Sequence, residues 1–564
     1  MAVLGIDLGT SNSLVGYWNE EKVELIDNVF GKKLTPSVVG IDDNGDILIG
    51  EVAKQRLITH PECTVSTFKR YMGTDKKYAM EKYTFTPIEL SAILLNTLKE
   101  DAEHFLKQEC RQAIISVPAY FNNIQREATI EAAKLAGLEV LNIISEPTAA
   151  AMAYGIHNLD EDSTIIVIDL GGGTFDVSLL EMFEGIMQIR AIAGDNHLGG
   201  EDFTWELMKK CLEENEIDKD SVSPEQSASL YNKMEFVKQN ITGVRQETIT
   251  FSINNKDYKF ILTQDKIEKI WSGLLARMKI PIIRTLQDTS HKIKDIYKVI
   301  LIGGGTKSSI IRKYFSRLFA QIPYTQINQD EAVAIGASIQ AALKIDKSMM
   351  EEMILTDVCA FSLGVETCEY MNNGFQDGYF CPIIERNTTI PVSKVQTLNS
   401  IYENQNKILM NVYQGEGIMV ENNLKIGEIQ IPLPRKGKGQ KVDVRFTYDT
   451  NGVLEVIVTV KETNVVHRLY IENTPGNLSQ EQMEEQFNKL RELKIHPRER
   501  SKNRLLLARA DRIYSESLGE RRLYIGKMII SFKEILEKQD ELTIRKASRE
   551  FQLWLNQLEG NLEL

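Results

Sequence analysis

At 564 residues the chain exceeds what one hydrophobic core supports, so several domains are expected. A net charge of −13 excludes a nucleic-acid partner held mainly through phosphate contacts, and 43% hydrophobic with 26% charged residues fits a folded soluble protein. No apolar run reaches the ~20 residues of a membrane span, no secretory signal opens the chain, and the six cysteines form no Cys-x-x-Cys pair, so a cytoplasmic protein with reduced thiols is expected.

The first 18 residues read as a hairpin whose turn, Gly9–Ser13, offers backbone N–H groups and the hydroxyls of Thr10, Ser11 and Ser13 to an anion. Strands follow at 35–41 and 47–50, and Phe68–Tyr71 reads as the end of a helical stretch in which Lys69 is by default a solvated charge. Pro87–Leu106 has apolar residues at helical spacing, Ala113–Val117 is a buried strand, and Gln125–Ala136 is an amphipathic helix ended by Gly137. Val140–Ile144 is a strand that leads into a helix opened by Ser145-Glu-Pro-Thr. The apolar run Ile165–Leu170 enters the turn Gly171-Gly-Gly-Thr174, and its Ile-Asp-Leu-Gly (168–171) repeats residues 6–9 without a gap. Helical segments fill 203–240, and a β segment with an Asn-Asn turn spans 247–262. Tyr297–Ile302 is a strand feeding a third glycine turn, Gly303–Thr306, and Asp330–Ala337 begins another helix. The alternation is that of an α/β domain built on a duplicated phosphate-binding turn.

Composition changes near 345, and residues 346–357 read as a linker. Between 358 and 472 the segments 361–366, 408–414, 442–448, 454–460 and 468–471 alternate at period two, which predicts an all-β domain. Ser479 and Gln482 form a capping box, with Leu478 and Met483 placed as its hydrophobic staple, and helices interrupted at Pro497, Gly519 and Asp540 follow.

Asp7-Leu-Gly-Thr-Ser-Asn-Ser13, Val117-Pro-Ala-Tyr-Phe-Asn122, Glu146-Pro-Thr-Ala-Ala150, Asp169-Leu-Gly-Gly-Gly-Thr-Phe-Asp176, Gly199-Gly-Glu-Asp202 and Asp330-Glu-Ala-Val-Ala334 occur in this order and together resemble the seventy-kilodalton heat-shock chaperones of the DnaK type. A short stretch between Met72 and Pro87 and a reduced C-terminal helical region look most like the HscC branch. The resemblance implies an actin-like, two-lobed nucleotide-binding domain over 1–345, a linker over 346–357, a β-sandwich substrate domain over 358–472 and an α-helical lid over 473–564. It implies an ATPase that binds ATP or ADP with Mg2+, with K+ as a further candidate. Asp7 and Asp169 would order the magnesium hydration shell. Gly9, Thr10, Ser11, Asn12, Gly171, Gly172 and Gly173 would hold phosphates, and Thr174 would act beside the γ-phosphate. Glu146 and Asp176 would position the attacking water, and Lys69 would neutralise the transferred phosphoryl group. Glu235, Lys238, Thr242, Gly303, Gly304, Lys307 and Asp330 match the adenosine side; Pro118, Arg126 and Asp357 match a relay between domains. Leu363, Val365, Leu398, Ile401, Ile408 and Met410 match the lining of a groove for unfolded, extended apolar polypeptide, although a plain sandwich core would also be apolar there.

The chain departs from the family pattern in named places. Gln239 and Lys307 stand where two arginines usually stack on adenine, which predicts weaker nucleotide binding. Asn142 replaces the arginine that usually meets a J-domain co-chaperone, and Thr356 replaces the last aliphatic of the linker. Partners that need a polar tail are not expected. A sugar kinase or a filament protein of the actin-like superfamily would share the nucleotide clamp but would have no use for residues 358–564.

Overall fold

Val3–Asp7 is buried at every position because it runs through the middle of a sheet covered on both faces. It pairs parallel with Gln112–Val117 and antiparallel with Asn12–Trp18, and Glu139–Ser145 and Val23–Leu25 extend the row on either side. A second sheet repeats the plan. Ser163–Leu170 pairs parallel with Lys298–Ile302 and antiparallel with Phe175–Phe183, beyond which lies Ile186–Asp195. The repeated Ile-Asp-Leu-Gly is thus a repeated strand–turn–strand.

These details come from a computed structural model that describes residues 2–19, 21–155, 163–183, 186–240, 246–325, 327–345, 354–371, 374–401, 405–434, 439–449, 452–472 and 497–560, with 483, 487, 490 and 494. The chain divides into two units, Met1–Ala360 and Phe361–Leu564.

Helices Glu146–Gly155 and Ala332–Ile345 lie between the two sheets of the first unit, and their small residues allow backbone to approach backbone. A Cβ on Gly336 would sit 1.8 Å from the Ala149 carbonyl oxygen, and one on Gly5 would sit 2.2 Å from the Ser338 nitrogen. Neither position admits a side chain. Helices Pro87–Leu106 and Asn123–Leu135 cover the outer face of the first sheet. Gly200–Glu214, Ser272–Asp288 and Ser309–Phe319 cover that of the second.

Two local expectations change, and two elements arise where none was expected. Phe68–Tyr71 is a single 3-10 turn after the strand Thr64–Ser66, not the end of a helix. Helix Glu51–Thr59 and the hairpin Tyr78–Met80 with Tyr83–Phe85 carry no pattern strong enough to have been read. Within the stretch read as linker, Ile354–Val358 forms a strand parallel to Ile186–Asp195, with Ile354 opposite Ile186 and Thr356 opposite Gln188. The backbone of Ile354–Thr356 thereby pairs with a sheet edge.

The second unit contains two four-stranded antiparallel sheets. One has the order Gly374–Ile384, Leu363–Met371, Lys407–Gln414, Leu424–Pro432; the other has Val392–Asn399, Lys441–Tyr448, Leu454–Val460, Val465–Ile471. They meet where Gly427 lies against Ile471. Ser501–Glu516, Gly519–Lys538 and Glu541–Gly560 then share one core in which Phe532 and Phe551 stack at 4.4 Å. The expected box at Ser479 and Gln482, with Leu478, lies outside the described residues.

Candidate functional site

The two glycine turns face each other. A Cβ on Gly172 would fall 2.0 Å from Ser11 Oγ, and one on Gly173 would fall 2.9 Å from the Thr10 methyl and 2.6 Å from Arg70 Cγ. The first turn is pinned from behind: Gly9 N–H donates to Ser13 Oγ, while Ser37 Oγ donates to the Gly9 carbonyl. The second is closed by Gly171 N–H on the Thr174 carbonyl. Backbone N–H groups and hydroxyls on two adjoining glycine turns are the kind of donors that could hold phosphate groups.

Four carboxylates gather beside those turns. Asp7 and Asp169 end equivalent strands, Asp176 pairs across the turn with Asp169, and Glu146 opens a helix between the sheets. Lys69, a solvated charge by its local sequence but a site residue by the resemblance, is only 3% exposed and donates to Glu146 Oε1 at 2.7 Å. Burial, followed by the charge of Glu146, pushes Asp7 up to about 7 and Asp176 up to about 8. The same two causes hold Asp169 well above the ordinary carboxylate range. Ser116 Oγ donates to Asp7 Oδ1 at 2.8 Å, and the Tyr120 N–H donates to Asp176 Oδ1 at 3.3 Å. Asp176 Oδ2 is buried with no hydrogen-bond partner. Among the described residues no group of three carboxylates stands close enough to ligate a metal ion directly, so what these hard oxygen donors suit is a magnesium ion that keeps its water shell.

Gly199–Asp202 supports the second turn from below. Gly200 N–H and Glu201 N–H donate to the carbonyls of Gly171 and Gly172 at 2.8 and 3.0 Å. Arg70, the neighbour of Lys69, reaches across to Asp202 Oδ2 at 2.8 Å. Ser11 Oγ and the Tyr231 hydroxyl both donate to Glu201, whose carboxyl burial raises to about 7. Adjacency to Lys69 was the available signal for Arg70; nothing local marks Tyr231.

The adenosine-side residues fall into two groups. Glu235 takes Lys238, Thr204 and Gln239 as partners, with Gln239 Nε2 at 2.8 Å, and Lys238 also reaches the Gly200 carbonyl at 2.8 Å. Lys307 pairs with Asp330 beside Gly304, and Gly303 takes φ +79° with its Cα against Leu170 and Asp169. Thr242 lies outside the described residues.

Arg126 and Asp357 come together. Arg126 donates to the carbonyls of Phe121 and Ala119, two residues of the segment that starts at Pro118, and its charge opposes the burial that raises Asp357. Asn142 lies on Glu139–Ser145, the outer strand of the first sheet. Of the groove candidates, Leu363, Val365 and Met410 are core residues of one β sheet, while Leu398, Ile401 and Ile408 remain partly exposed.

The sequence matches the family model described as Hsp70 protein over residues 3–83 and 75–539.

Proposed function

The chain belongs to the Hsp70 family of ATP-dependent chaperones, and we propose that in it Mg-ATP binding and slow hydrolysis control the capture and release of extended apolar polypeptide. Members of the family are ATPases that depend on nucleotide and magnesium and bind unfolded peptides and J-domain co-chaperones. The observation that carries the reading for this chain is the meeting of Asp7, Lys69, Glu146, Asp169 and Asp176 beside two facing glycine turns.

In this reading the backbone of Gly9–Asn12 and of Gly171–Gly173 holds the phosphates from two sides, and Thr174 stands at the terminal one. Asp7 and Asp169 would hold magnesium through its water shell, and the ion would neutralise phosphate charge. The unpartnered Oδ2 of Asp176 accepts a hydrogen bond from the attacking water, while Tyr120 occupies the other oxygen. Lys69, dry and fixed by Glu146, meets the charge that develops on the transferred group; in a desolvated site such a contact counts far more than at a surface. Glu235, Lys238, Gly303, Gly304, Lys307, Asp330 and Thr242 hold the adenosine side. Pro118, Arg126 and Asp357 pass the nucleotide state onward.

The finer assignments follow. Residues 1–345 form an actin-like nucleotide domain, 346–357 a linker, 358–472 the peptide-binding sandwich and 473–564 the lid, in an HscC-like arrangement. Leu398, Ile401 and Ile408 are the groove candidates with surface to offer. Asn142 alters the ordinary J-domain docking point, and six scattered cysteines with no Cys-x-x-Cys spacing fit a reducing compartment. ATP turnover with and without a short Leu-rich peptide tests the coupling. Stimulation is expected, and its absence in protein that binds ATP would sink the peptide-coupled reading.

A further inference from the structure

Asp176 is oriented by Tyr120, which in turn is held from outside the site by one helix. The Tyr120 N–H donates to Asp176 Oδ1 at 3.3 Å, and its carbonyl accepts from Asn196 Nδ2 at 3.1 Å. Its hydroxyl accepts from Arg284 Nη1 at 2.8 Å, with the guanidinium carbon 5.7 Å from the ring centroid. Arg284 belongs to Ser272–Asp288, which packs on both Phe175–Phe183 and Ile186–Asp195, the hairpin that carries Asp176 and ends at Asp195. Two helical turns earlier on the same face, Arg277 holds Asp195 at 2.6 Å and the His197 carbonyl at 3.3 Å, on either side of Asn196. Space around the contact is tight: a Cβ on Gly194 would lie 2.6 Å from Asp176 Oδ1 and 3.2 Å from Tyr120 Cβ.

We propose that Arg284 is a positioning residue for ATP hydrolysis: through the Tyr120 hydroxyl it fixes the backbone N–H that occupies one oxygen of Asp176 and leaves the other aimed at water. Tyr120 follows a strand of the first sheet, whereas Asp176, Asn196 and Arg284 belong to the second sheet and its helices, so the hydroxyl tether spans the two. Its loss removes the side-chain hydrogen bond that ties Tyr120 to the helix covering the second sheet. A shift of the Tyr120 N–H, already 3.3 Å from Asp176 Oδ1, then leaves both carboxylate oxygens to compete for the same water. The proposal rests on the reading of Asp176 as the residue that positions the attacking water.

The test measures steady-state ATP hydrolysis by the full chain for Arg284→Leu, Tyr120→Phe, the double variant and Arg284→Lys. ATP affinity is measured by calorimetry on the same preparations. Misplacement of a water-positioning group predicts a kcat lowered about 10- to 100-fold with KM and ATP affinity near wild type. The double variant is expected to be no slower than either single one, and Arg284→Lys to recover most of the loss. Unchanged kcat in Tyr120→Phe, which removes only the hydroxyl, overturns the proposal even if Arg284→Leu is poorly folded. So does a KM effect without a kcat effect, or losses that multiply in the double variant. Asp176→Asn in the same assay separates the two layers. Full turnover in that variant sinks the Asp176 reading, whereas loss there beside normal Tyr120→Phe sinks the tether alone.

Discussion

Lys69 is the residue whose setting differs most from what its neighbours in the sequence suggest. A lysine between Phe68 and Arg70 reads as a surface charge, yet its ammonium lies on Glu146 and 5.8 Å from the Phe121 ring centroid. Lys69→Ala is expected to lower turnover by roughly 10²–10³-fold, the scale of losing one preorganised charge contact, with ATP affinity within a few-fold because the glycine turns remain. Single-turnover hydrolysis beside equilibrium binding checks it; retained turnover removes Lys69 from the mechanism. On the adenosine side, Gln239 spends its amide on Glu235 one helical turn away and offers no guanidinium plane to a base. Gln239→Arg is therefore expected to tighten ATP by roughly 0.5–2 kcal/mol in a calorimetric titration. No gain would mean that adenine stacking is not what this position lacks. Asp101 carries a pH effect away from the site. Burial raises its carboxyl to about 6, against the opposing N–H of Val29. A folded-state value above the unfolded ~3.9 favours folding at low pH, and that advantage is lost as pH rises through about 6. Asp101→Asn, which keeps an acceptor for Val29, should raise the melting temperature by an amount that grows from about pH 4 to about pH 6 and then levels. An equal shift at pH 4 and pH 8 would contradict this.

Elements whose shape is set by adjacent residues were legible; those set by distant ones were not. The two Asp-Leu-Gly turns could be read because glycine and hydroxyl residues at consecutive positions specify a local backbone. Pro87–Leu106 was read to the residue from its apolar spacing, and Thr86 with Glu89 completes a capping box at its start. Glu51–Thr59 was missed because Val52, Leu57 and their neighbours make no continuous apolar stripe, and its helix is stabilised by what it packs on. In the β unit, Gly374–Ile384, Val392–Asn399 and Leu424–Pro432 escaped a period-two reading because polar or prolyl positions interrupt the alternation. At this scale the two central helices give the strictest prediction. Gly336→Val places side-chain atoms where the Ala149 carbonyl oxygen already lies 1.8 Å from a Cβ. The helix-propensity gain over Gly, under ~1 kcal/mol, cannot offset a backbone clash, and overpacking typically costs 1–3 kcal/mol or more. A lower urea midpoint for the first unit is expected, and an unchanged one would show that the helices can part without cost.

Over the whole molecule, the sequence by itself determined the order of modules: a duplicated α/β half, a strand-rich stretch and a helical end. Contiguous patterns suffice for that because strand, turn and helix are each decided over a few residues to some twenty. It also supplied the motifs by which the chain is a member of the Hsp70 family. Tertiary structure alone decided which charges are dry and which side chains meet. Arg70 reaches Asp202 across 132 residues, and Arg284 reaches Tyr120 across 164. An arginine on an amphipathic helix looks the same in sequence whether it points to water or to a tyrosine. Even Ile354–Val358 became a strand only because an open edge of a distant hairpin was there to receive it. The physical reason is common to all of these. Burial and partnership depend on where the chain returns in space, and no local pattern carries that information.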